Sequence, residues 1–435
     1  MNKRMLSLLI LLCLTISLLT GGAALAEQTP VDYAAQVKLH TGSETVKQEV
    51  TVRTFIDGDT VHFSVPETVM ESGVLKARFL AVNTPESTGK IEEYGKAASA
   101  FTKEKLSCAE SILIESDTEK WNPDSTGDRY LVWVWYRPAG ESEYRNLNIE
   151  ILQEGLAIAN STANNRYGSI AMAALQQAKD LKRLVHSGQK DPDFYYGDAV
   201  ELTLRELRTN LNQYNGVKVA FSGVITMNSN NGVYIESFDA ETGMYYGMSV
   251  YYGFGLSGKG LDILSVGNEA RIVGTLQYYE AGGTWQVSGL TYRMMKPDDP
   301  GNIQKLSEGH SPAYVPTTPE TFSGGVIVSE DGQSATEIRY AELAMATSVE
   351  MKNLTVQSAY TTQDEASSSF GAITLTCEAD GQTVLIRTIP LYDDTGKLIE
   401  ESAYLGKTID VRGIVDYYDG DYQIKVFTKD SIAIH

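Results

Sequence analysis

A short stretch, residues 55–86, constrains what this chain can fold into more than any other. Residues 56–61 have the sequence Ile-Asp-Gly-Asp-Thr-Val, in which an Asp-Gly pair between β-prone residues predicts a tight hairpin turn. Residues 78–86, with the sequence Arg-Phe-Leu-Ala-Val-Asn-Thr-Pro-Glu, predict an apolar strand that ends in a polar cluster. Because Pro85 holds Thr84 in an extended conformation, the strand must end there. Polar groups are therefore expected at two strand ends.

These polar groups suit a metal ion if the hairpin and the strand are neighbours. The oxygens of Asp59, of Asn83, of the Thr84 carbonyl and of Glu86 can then converge on one hard cation, with Arg78 nearby. Strict alternation along a strand would put Arg78 and Asn83 on opposite faces, so we expect a bend near Thr84. A cation and an arginine beside the carboxylate of Glu86 form an arrangement that suits phosphodiester chemistry.

The length of the chain limits the number of its domains, and its charge limits what it can bind. With 435 residues, of which 42% are hydrophobic and 21% charged, it predicts two to four globular domains. The net charge of −20 argues against a nucleic-acid binder, since phosphate affinity is largely cationic. However, residues 201–435 contain 30 acidic and 16 basic residues, a net of −14, which leaves −6 for residues 1–200. Most of the negative charge therefore lies outside the region of the hairpin, where a bound cation would further reduce repulsion.

The N-terminus predicts export. Lys3 and Arg4 precede an apolar run at residues 6–19, and Ala-Leu-Ala at residues 24–26 is typical of a cleavage site. Residues 1–26 are therefore predicted to be a signal peptide cleaved after Ala26, which makes the protein secreted or extracellular. A retained membrane anchor is the alternative, but the apolar run is short for a span, and we expect no stable membrane insertion.

Two cysteines remain after the predicted cleavage. Cys108 and Cys377 lie in what we expect to be separate domains, so a disulfide framework is not predicted. We expect both to be buried small hydrophobic residues.

Residues 48–190 predict a small closed barrel, and the whole chain is expected to be mainly β with helices. Strands are predicted within 48–63 on both sides of the turn, and at 76–82, 112–115 and 130–136; helices are predicted at 95–110, 147–154 and 169–185. The first of these helices is expected to carry Ala97, Phe101 and Cys108 on one apolar face. Five strands with interleaved helices indicate an OB-fold, in a domain that spans residues 46–197.

Several short motifs of this region resemble those of the staphylococcal nuclease (thermonuclease) family. They are the Asp-Gly-Asp turn, the Arg-x4-Asn-Thr-Pro-Glu strand end, a helix start at residues 94–101 and a helix end at residues 148–157. Because they occur in the same order and at similar spacings, they are more specific together than any one alone. The resemblance implies a calcium-dependent nuclease on an OB-like barrel, with DNA or RNA as its substrate.

The resemblance also implies the metal ligands. Asp59 would bind Ca²⁺, with Asn83 and the carbonyl of Thr84 beside it. Calcium accepts such a mixture of carboxylate, amide and backbone oxygens. The family has a second aspartate where this chain has Asn83, so one negative charge is missing and a lower metal affinity is expected.

The remaining roles implied by the resemblance are catalytic. Glu86 would orient or deprotonate the attacking water, and Arg78 and Arg129 would bind the phosphate and stabilise the charge that grows on it. The planar guanidinium group suits this role because it donates two parallel hydrogen bonds to a phosphate. The family usually has Tyr-Gly-Arg where residues 126–129 are Thr-Gly-Asp-Arg, and Arg137 is a weaker alternative to Arg129.

A repeat follows residue 198. Residues 264–287 and 405–424 each contain two glycines seven positions apart and a Tyr-Tyr pair that begins four positions after the second glycine. Strand-like segments and a short helical stretch precede each copy, so we expect two tandem five-stranded OB-like barrels, at residues 198–296 and 326–435. The proline-rich segment 297–325 between them is predicted to be a linker.

The ligand of these two modules stays open between single-stranded nucleic acid, glycan and protein. Their paired tyrosines, Tyr278, Tyr279, Tyr417 and Tyr418, would stack with bases if they were exposed. Because this half of the chain has a charge of −14, we favour packing over base stacking for these rings. The alternative to a nuclease is a catalytically impaired binding protein on a nuclease scaffold, in which the barrels supply the function; a structural surface protein is a weaker third possibility.

Overall fold

A computed structural model describes residues 29–159, 164–329, 335–364, 367 and 369–435. The predicted signal peptide and its cleavage site lie outside these residues. Within the described residues, no helix has both the length and the apolar composition needed to cross a membrane.

The first part of the described chain contains nine strands and four α-helices. The strands are β1 Lys47–Asp57, β2 Thr60–Ser64, β3 Val74–Phe79, β4 Val82–Asn83, β5 Ala109–Glu115, β6 Asn122–Pro123, β7 Tyr130–Pro138, β8 Arg145–Asn146 and β9 Ile158–Ala159. The helices are α1 Tyr33–Gln36, α2 Gly95–Ser107, α3 Leu147–Gln153 and α4 Gly168–Asp180. The predicted elements of residues 48–190 are thus present, with boundaries shifted by a few residues.

Five of these strands close into a barrel, which we call the first barrel. Around the ring the order is β1, β2, β3, β7 and β5, and β5 pairs again with β1. All pairs are antiparallel except β3 with β7. The predicted five-stranded OB-like barrel is therefore confirmed. Its core is built by alternate residues of strands such as β3, and by Trp133 and Trp135 of β7, whose side chains are fully buried.

The strand that carries the polar cluster bends earlier than the sequence predicts. We expected one strand over residues 76–82 with a bend near Thr84, but β3 ends at Phe79 and the chain turns at Ala81, which has a left-handed φ of 70°. The buried side chain of Asn148 donates hydrogen bonds to the carbonyls of Leu80 (2.8 Å) and Val132 (3.0 Å). These bonds hold the turn, so a long-range contact sets the position of the bend.

Helix α2 buries a different face from the predicted one. Its buried residues include Ala98, Thr102 and Leu106, whereas the predicted Phe101 is only half-buried. The prediction that Cys108 is buried is wrong: this residue follows the end of the helix and is exposed. The face that is buried is the one that meets the barrel, and the local pattern of apolar residues did not identify it. Cys377 is buried, as predicted.

Two further barrels follow. The second is formed by β11 Lys218–Ser229, β12 Gly232–Asp239, β13 Met244–Tyr251, β14 Glu269–Tyr279 and β15 Thr284–Ser288. The third is formed by β20 Ser348–Thr361, β21 Ile373–Ala379, β22 Gln382–Thr388, β23 Thr408–Tyr418 and β24 Asp421–Val426. In both, the first strand pairs with the second and fourth, and the third and fifth strands form the one parallel pair of the ring. The three barrels therefore share one ring order, which confirms the predicted fold class.

Shorter elements accompany the second and third barrels. They are β10 Val200–Glu201, α5 Leu204–Thr209, α6 Lys259–Ile263, β16 Gln304–Ser307, β17 Val315–Pro316, α7 Pro319–Ser323, β18 Gly325–Ser329, β19 Ala335–Arg339, α8 Tyr340–Leu343 and β25 Ile432–Ile434. The predicted linker, residues 297–325, is not a free connection. Its strand β16 pairs with β14 of the second barrel and its strand β17 pairs with β20 of the third. The proline content indicated a break between modules but not these edge pairings.

Buried polar groups hold the second and third barrels together. The carboxylate of Glu236 accepts hydrogen bonds from the amides of Ala313 (2.7 Å) and Ser348 (2.7 Å) and from the Ser348 hydroxyl (2.9 Å). Burial raises the pKa of Glu236 above its ordinary value even though these donors act in the opposite direction. Arg208, which is also buried, donates a hydrogen bond to the carbonyl of Met345 (3.3 Å). The two barrels therefore contact each other through satisfied buried polar groups.

Candidate active site

The turn between β1 and β2 forms the floor of the candidate site. A side chain at Gly58 would begin 2.9 Å from both the Thr84 hydroxyl and the Cβ of Ala98, so this turn requires glycine. The Gly58 carbonyl accepts a hydrogen bond of 2.6 Å from Thr102 of α2. The Asp-Gly-Asp sequence thus does more than form a tight turn, because it also allows the strand end and the helix to approach the turn closely.

Three of the residues predicted for the site meet at one guanidinium group. Arg78 forms an ion pair with Asp59 through Nη1, and its Nη2 donates a hydrogen bond of 2.7 Å to Oδ1 of Asn83. The other oxygen of Asp59 accepts from the backbone amide of Thr84 (2.8 Å). The predicted metal ligands Asp59 and Asn83 therefore point at a common positive charge, and the amide of the third, Thr84, binds to Asp59.

The register of the barrel explains this convergence. Arg78 pairs with Thr60 on β2 and with Leu131 on β7, so it lies between the turn and the strand that begins after Arg129. Its side chain is only 13% exposed. Burial lowers the pKa of Arg78, and the positive charge of Arg129 lowers it further. The two arginines predicted to bind phosphate are thus electrostatic neighbours, although Arg78 lies on β3 and Arg129 in the loop before β7.

Arg129 is held in place by an acidic residue of the preceding loop. Its Nε and Nη2 atoms lie 2.8 Å and 2.7 Å from Oδ2 of Asp124. Burial acts to raise the pKa of Asp124, but hydrogen bonds from Thr126 and Arg129 outweigh it, so this pKa lies below the ordinary value. The alternative, Arg137, lies at the far end of β7 and pairs with Glu110 (2.6 Å). The geometry favours Arg129 over Arg137.

Glu86 lies at the edge of the site beside a second carboxylate. The residue as a whole is exposed, but its carboxyl group is enclosed enough that desolvation raises its pKa to about 7. A shared hydrogen bond with Asp57 and the charge of that residue act in the same direction, while Arg78 opposes them. A carboxyl group with a pKa near neutrality is suited to taking a proton from water.

Asp57 is the site residue that sequence reasoning missed. We interpreted it only as part of a hairpin turn, yet it is buried, and its Oδ1 accepts hydrogen bonds from the amide of Gly58 (2.7 Å) and the hydroxyl of Ser87 (2.6 Å). It thereby joins the turn to the segment that contains Glu86. The signal was present in the sequence, since an Asp-Gly-Asp turn contains two carboxylates, of which we assigned a role to one.

The oxygen atoms predicted to bind the metal are suited to a hard cation, which they would bind with modest affinity. Within the described residues there is no group of three or more His, Cys, Asp or Glu side chains that could hold a metal. A cation would instead need the carboxylate of Asp59, the amide oxygen of Asn83 and the carbonyl of Thr84, all of them oxygen donors that Ca²⁺ accepts. Because the oxygens of Asp59 and Asn83 already bind one positive group together, these residues fit such an ion.

Comparison with known proteins agrees with this geometry. The family model of the staphylococcal nuclease homologues matches residues 76–184. A thermonuclease from Staphylococcus intermedius is 30% identical to this chain over 136 residues, which are 31% of this chain and 72% of that enzyme. The chain belongs to the staphylococcal nuclease family. The family match contains Arg78, Asn83, Thr84, Glu86 and Arg129, and it ends before the second barrel begins.

Proposed function

We propose that this protein is a secreted, calcium-dependent nuclease that hydrolyses phosphodiester bonds of DNA or RNA, and that its second and third barrels are accessory binding modules. Membership of the nuclease family supports phosphodiester chemistry. The observation that carries the proposal is the arrangement around Arg78, which contacts Asp59 and Asn83 while Arg129 and Glu86 lie beside it.

In the proposed mechanism the two arginines bind the scissile phosphate. Arg78 and Arg129 present guanidinium groups to its oxygens, and their contribution grows as negative charge develops in the transition state. Asp124 fixes the direction of Arg129, because it accepts from two of its nitrogens. Asp59, Asn83 and Thr84 would hold a Ca²⁺ ion, which would supply further positive charge for the developing negative charge of the phosphate.

Glu86 prepares the nucleophile. Its exposed position allows a water molecule to reach the carboxylate, and its raised pKa favours acceptance of a proton near neutral pH. Asp57 shares a hydrogen bond with Glu86 and therefore helps to set both the orientation and the basicity of this carboxyl group. We assign Asp57 a positioning role, because it acts through Glu86.

The test is digestion of plasmid DNA and of RNA with calcium or with a chelator. We expect wild-type cleavage to require calcium, and Glu86→Gln to lower kcat by roughly 100-fold or more, the usual contribution of a general base. Glu104→Gln is the matched control, because Glu104 lies on the exposed surface of α2 in the same barrel. Cleavage that persists in chelator, or that survives the Glu86→Gln change, would rule out the mechanism.

Asn83 favours one competing function, a binding protein on a nuclease scaffold. The site has one carboxylate fewer than the family pattern, and no acidic cluster stands in for it among the described residues. In that case the wild-type chain would bind nucleic acid without cutting it, at any calcium concentration. The digestion assay separates the two functions.

The proposed export rests on the sequence of residues 1–26. We expect the mature protein in the culture medium to begin at Glu27, which mass spectrometry of its N-terminal peptide would show. Recovery of the full-length chain in the cell membrane would contradict it.

A further inference from the structure

The loop that follows Glu86 is bound by the second barrel. The carbonyl of Gly89, at the tip of this loop, accepts hydrogen bonds from Nε2 of Gln277 (2.8 Å) and from the hydroxyl of Ser288 (2.6 Å). Gln277 and Ser288 are both buried and belong to β14 and β15. The hairpin formed by these two strands is therefore fixed next to the candidate active site.

A cavity of about 360 Å³ lies where the first and second barrels meet. Its lining includes Ser87, next to Glu86, and two lysines of α2, Lys96 and Lys103. On the other side it is lined by Tyr278 and Tyr279, the last two residues of β14. The cavity thus extends from the loop that follows Glu86 to an aromatic surface of the second barrel.

Both tyrosines are available to a ligand. Tyr278 is 45% exposed and Tyr279 is 38% exposed, so neither ring is buried in the core. The packing that we predicted is present at Tyr278, which packs on its cross-strand neighbour Trp285 while part of its surface stays exposed. Tyr278 is supported from one side by Trp285, with the ring centres 5.3 Å apart. Exposed rings of this kind offer flat apolar faces on which nucleic-acid bases stack.

The charge of the junction also favours a nucleic acid here rather than on the third barrel. Residues 198–296 carry nine acidic and seven basic residues, whereas residues 326–435 carry 18 acidic and eight basic residues. The acidity of the C-terminal half is therefore concentrated in the third barrel. At the junction, Lys96 and Lys103 lie beside the tyrosines, although Lys103 also pairs with Glu280 (2.5 Å).

We propose that this junction binds the single strand of nucleic acid that extends from the active site, with bases stacked on Tyr278 and Tyr279 and phosphates near Lys96. A single strand is required because the bases of a duplex are already stacked on one another and cannot present their faces to the rings. The proposal rests on the proposed function for the identity of the substrate. It makes the second barrel a part of substrate binding and gives the enzyme a preference for single-stranded regions.

The test measures binding without cleavage. The full-length protein, in chelator, is titrated into a fluorescein-labelled oligothymidylate of roughly 12 nucleotides, a length within the range bound by OB-folds, and fluorescence anisotropy is followed. We expect the double change Tyr278→Ala and Tyr279→Ala to raise Kd roughly tenfold or more, as for the loss of base stacking. The double change to Phe keeps the ring faces and should retain the affinity. Tyr360→Ala is the matched control, because Tyr360 is a 63% exposed tyrosine on the third barrel.

Three results with the single-stranded oligonucleotide would overturn the inference. They are no binding of the oligonucleotide by the wild type, an unchanged Kd in the double alanine variant, or an equal loss of affinity with Tyr360→Ala. The inference would also be contradicted if the double alanine variant lost as much affinity for a duplex of the same length as for the single strand, because stacking on these rings requires free base faces. Since the assay contains no free calcium and needs no catalysis, its failure is distinct from failure of the nuclease mechanism, which would appear as absent cleavage by the wild type.

Discussion

The substitution Asn83→Asp tests the proposed cation site most directly. It restores the carboxylate that the family has at this position, and it replaces only the amide NH₂ group by an oxygen of similar size. In the structure Oδ1 of Asn83 accepts a hydrogen bond of 2.7 Å from Arg78, which also pairs with Asp59. The new carboxylate would therefore stand next to both a cation and a guanidinium group.

The size of the expected effect follows from these charges. A unit negative charge about 2.4 Å from a divalent ion, a typical Ca–O distance, is attracted by about 3–4 kcal/mol at the permittivity of water. Arg78 competes for the same carboxylate, so we expect about half of this energy to appear as calcium affinity. The calcium concentration at half-saturation should then fall by roughly 10- to 30-fold in Asn83→Asp.

Two measurements check this expectation. Titration calorimetry with calcium gives the affinity without substrate, and the calcium dependence of plasmid cleavage gives the same midpoint under turnover. Asn228→Asp is the matched control, because it makes the same change at an exposed position of β11. A midpoint that stays the same or rises in Asn83→Asp would refute the assignment of Asn83 as a ligand. An equal fall in the control would show that the effect is one of overall charge.

Two further perturbations test the parts of the protein around the site. Asp124→Asn removes the charged partner of Arg129. We expect kcat/KM for plasmid cleavage to fall roughly tenfold, which corresponds to the free energy of about one charge-assisted hydrogen bond. Asp128→Asn, in the same loop, should leave kcat/KM unchanged, and an equal effect of both changes would contradict the role of Asp124. The pKa of Glu236 in the folded chain is raised above its ordinary value of 4.5. Between pH 4.5 and this raised pKa, the folded chain keeps a proton that the unfolded chain has lost. The stability that Glu236 contributes therefore decreases as the pH rises from 4.5 through the folded-state pKa. Glu236→Gln should flatten the pH dependence of Tm there while the exposed control Glu378→Gln keeps it, and an unchanged slope in Glu236→Gln would argue against this linkage.

Local sequence was enough to predict the strands, because alternation and turn chemistry are properties of a few neighbouring residues. The Asp-Gly turn before Asp59 and the Pro85 stop are examples, and the repeat of glycines and tyrosines gave the second and third barrels. The bend was harder to place. It lies at Ala81 and is held by Asn148, a residue far along the chain that no local pattern connects to it.

The sequence by itself determined that this chain contains a nuclease-family barrel with Arg78, Asn83 and Glu86 on one segment, and two more barrels after it. Only the tertiary structure decided which side chains meet. Closure of the barrel brings Asp59 to Arg78, and contact between two barrels places Tyr278 beside the loop that follows Glu86. The physical reason is that a repeating pattern fixes which way a side chain points along its own strand, whereas its partner depends on the register of strands and barrels that are distant in the sequence.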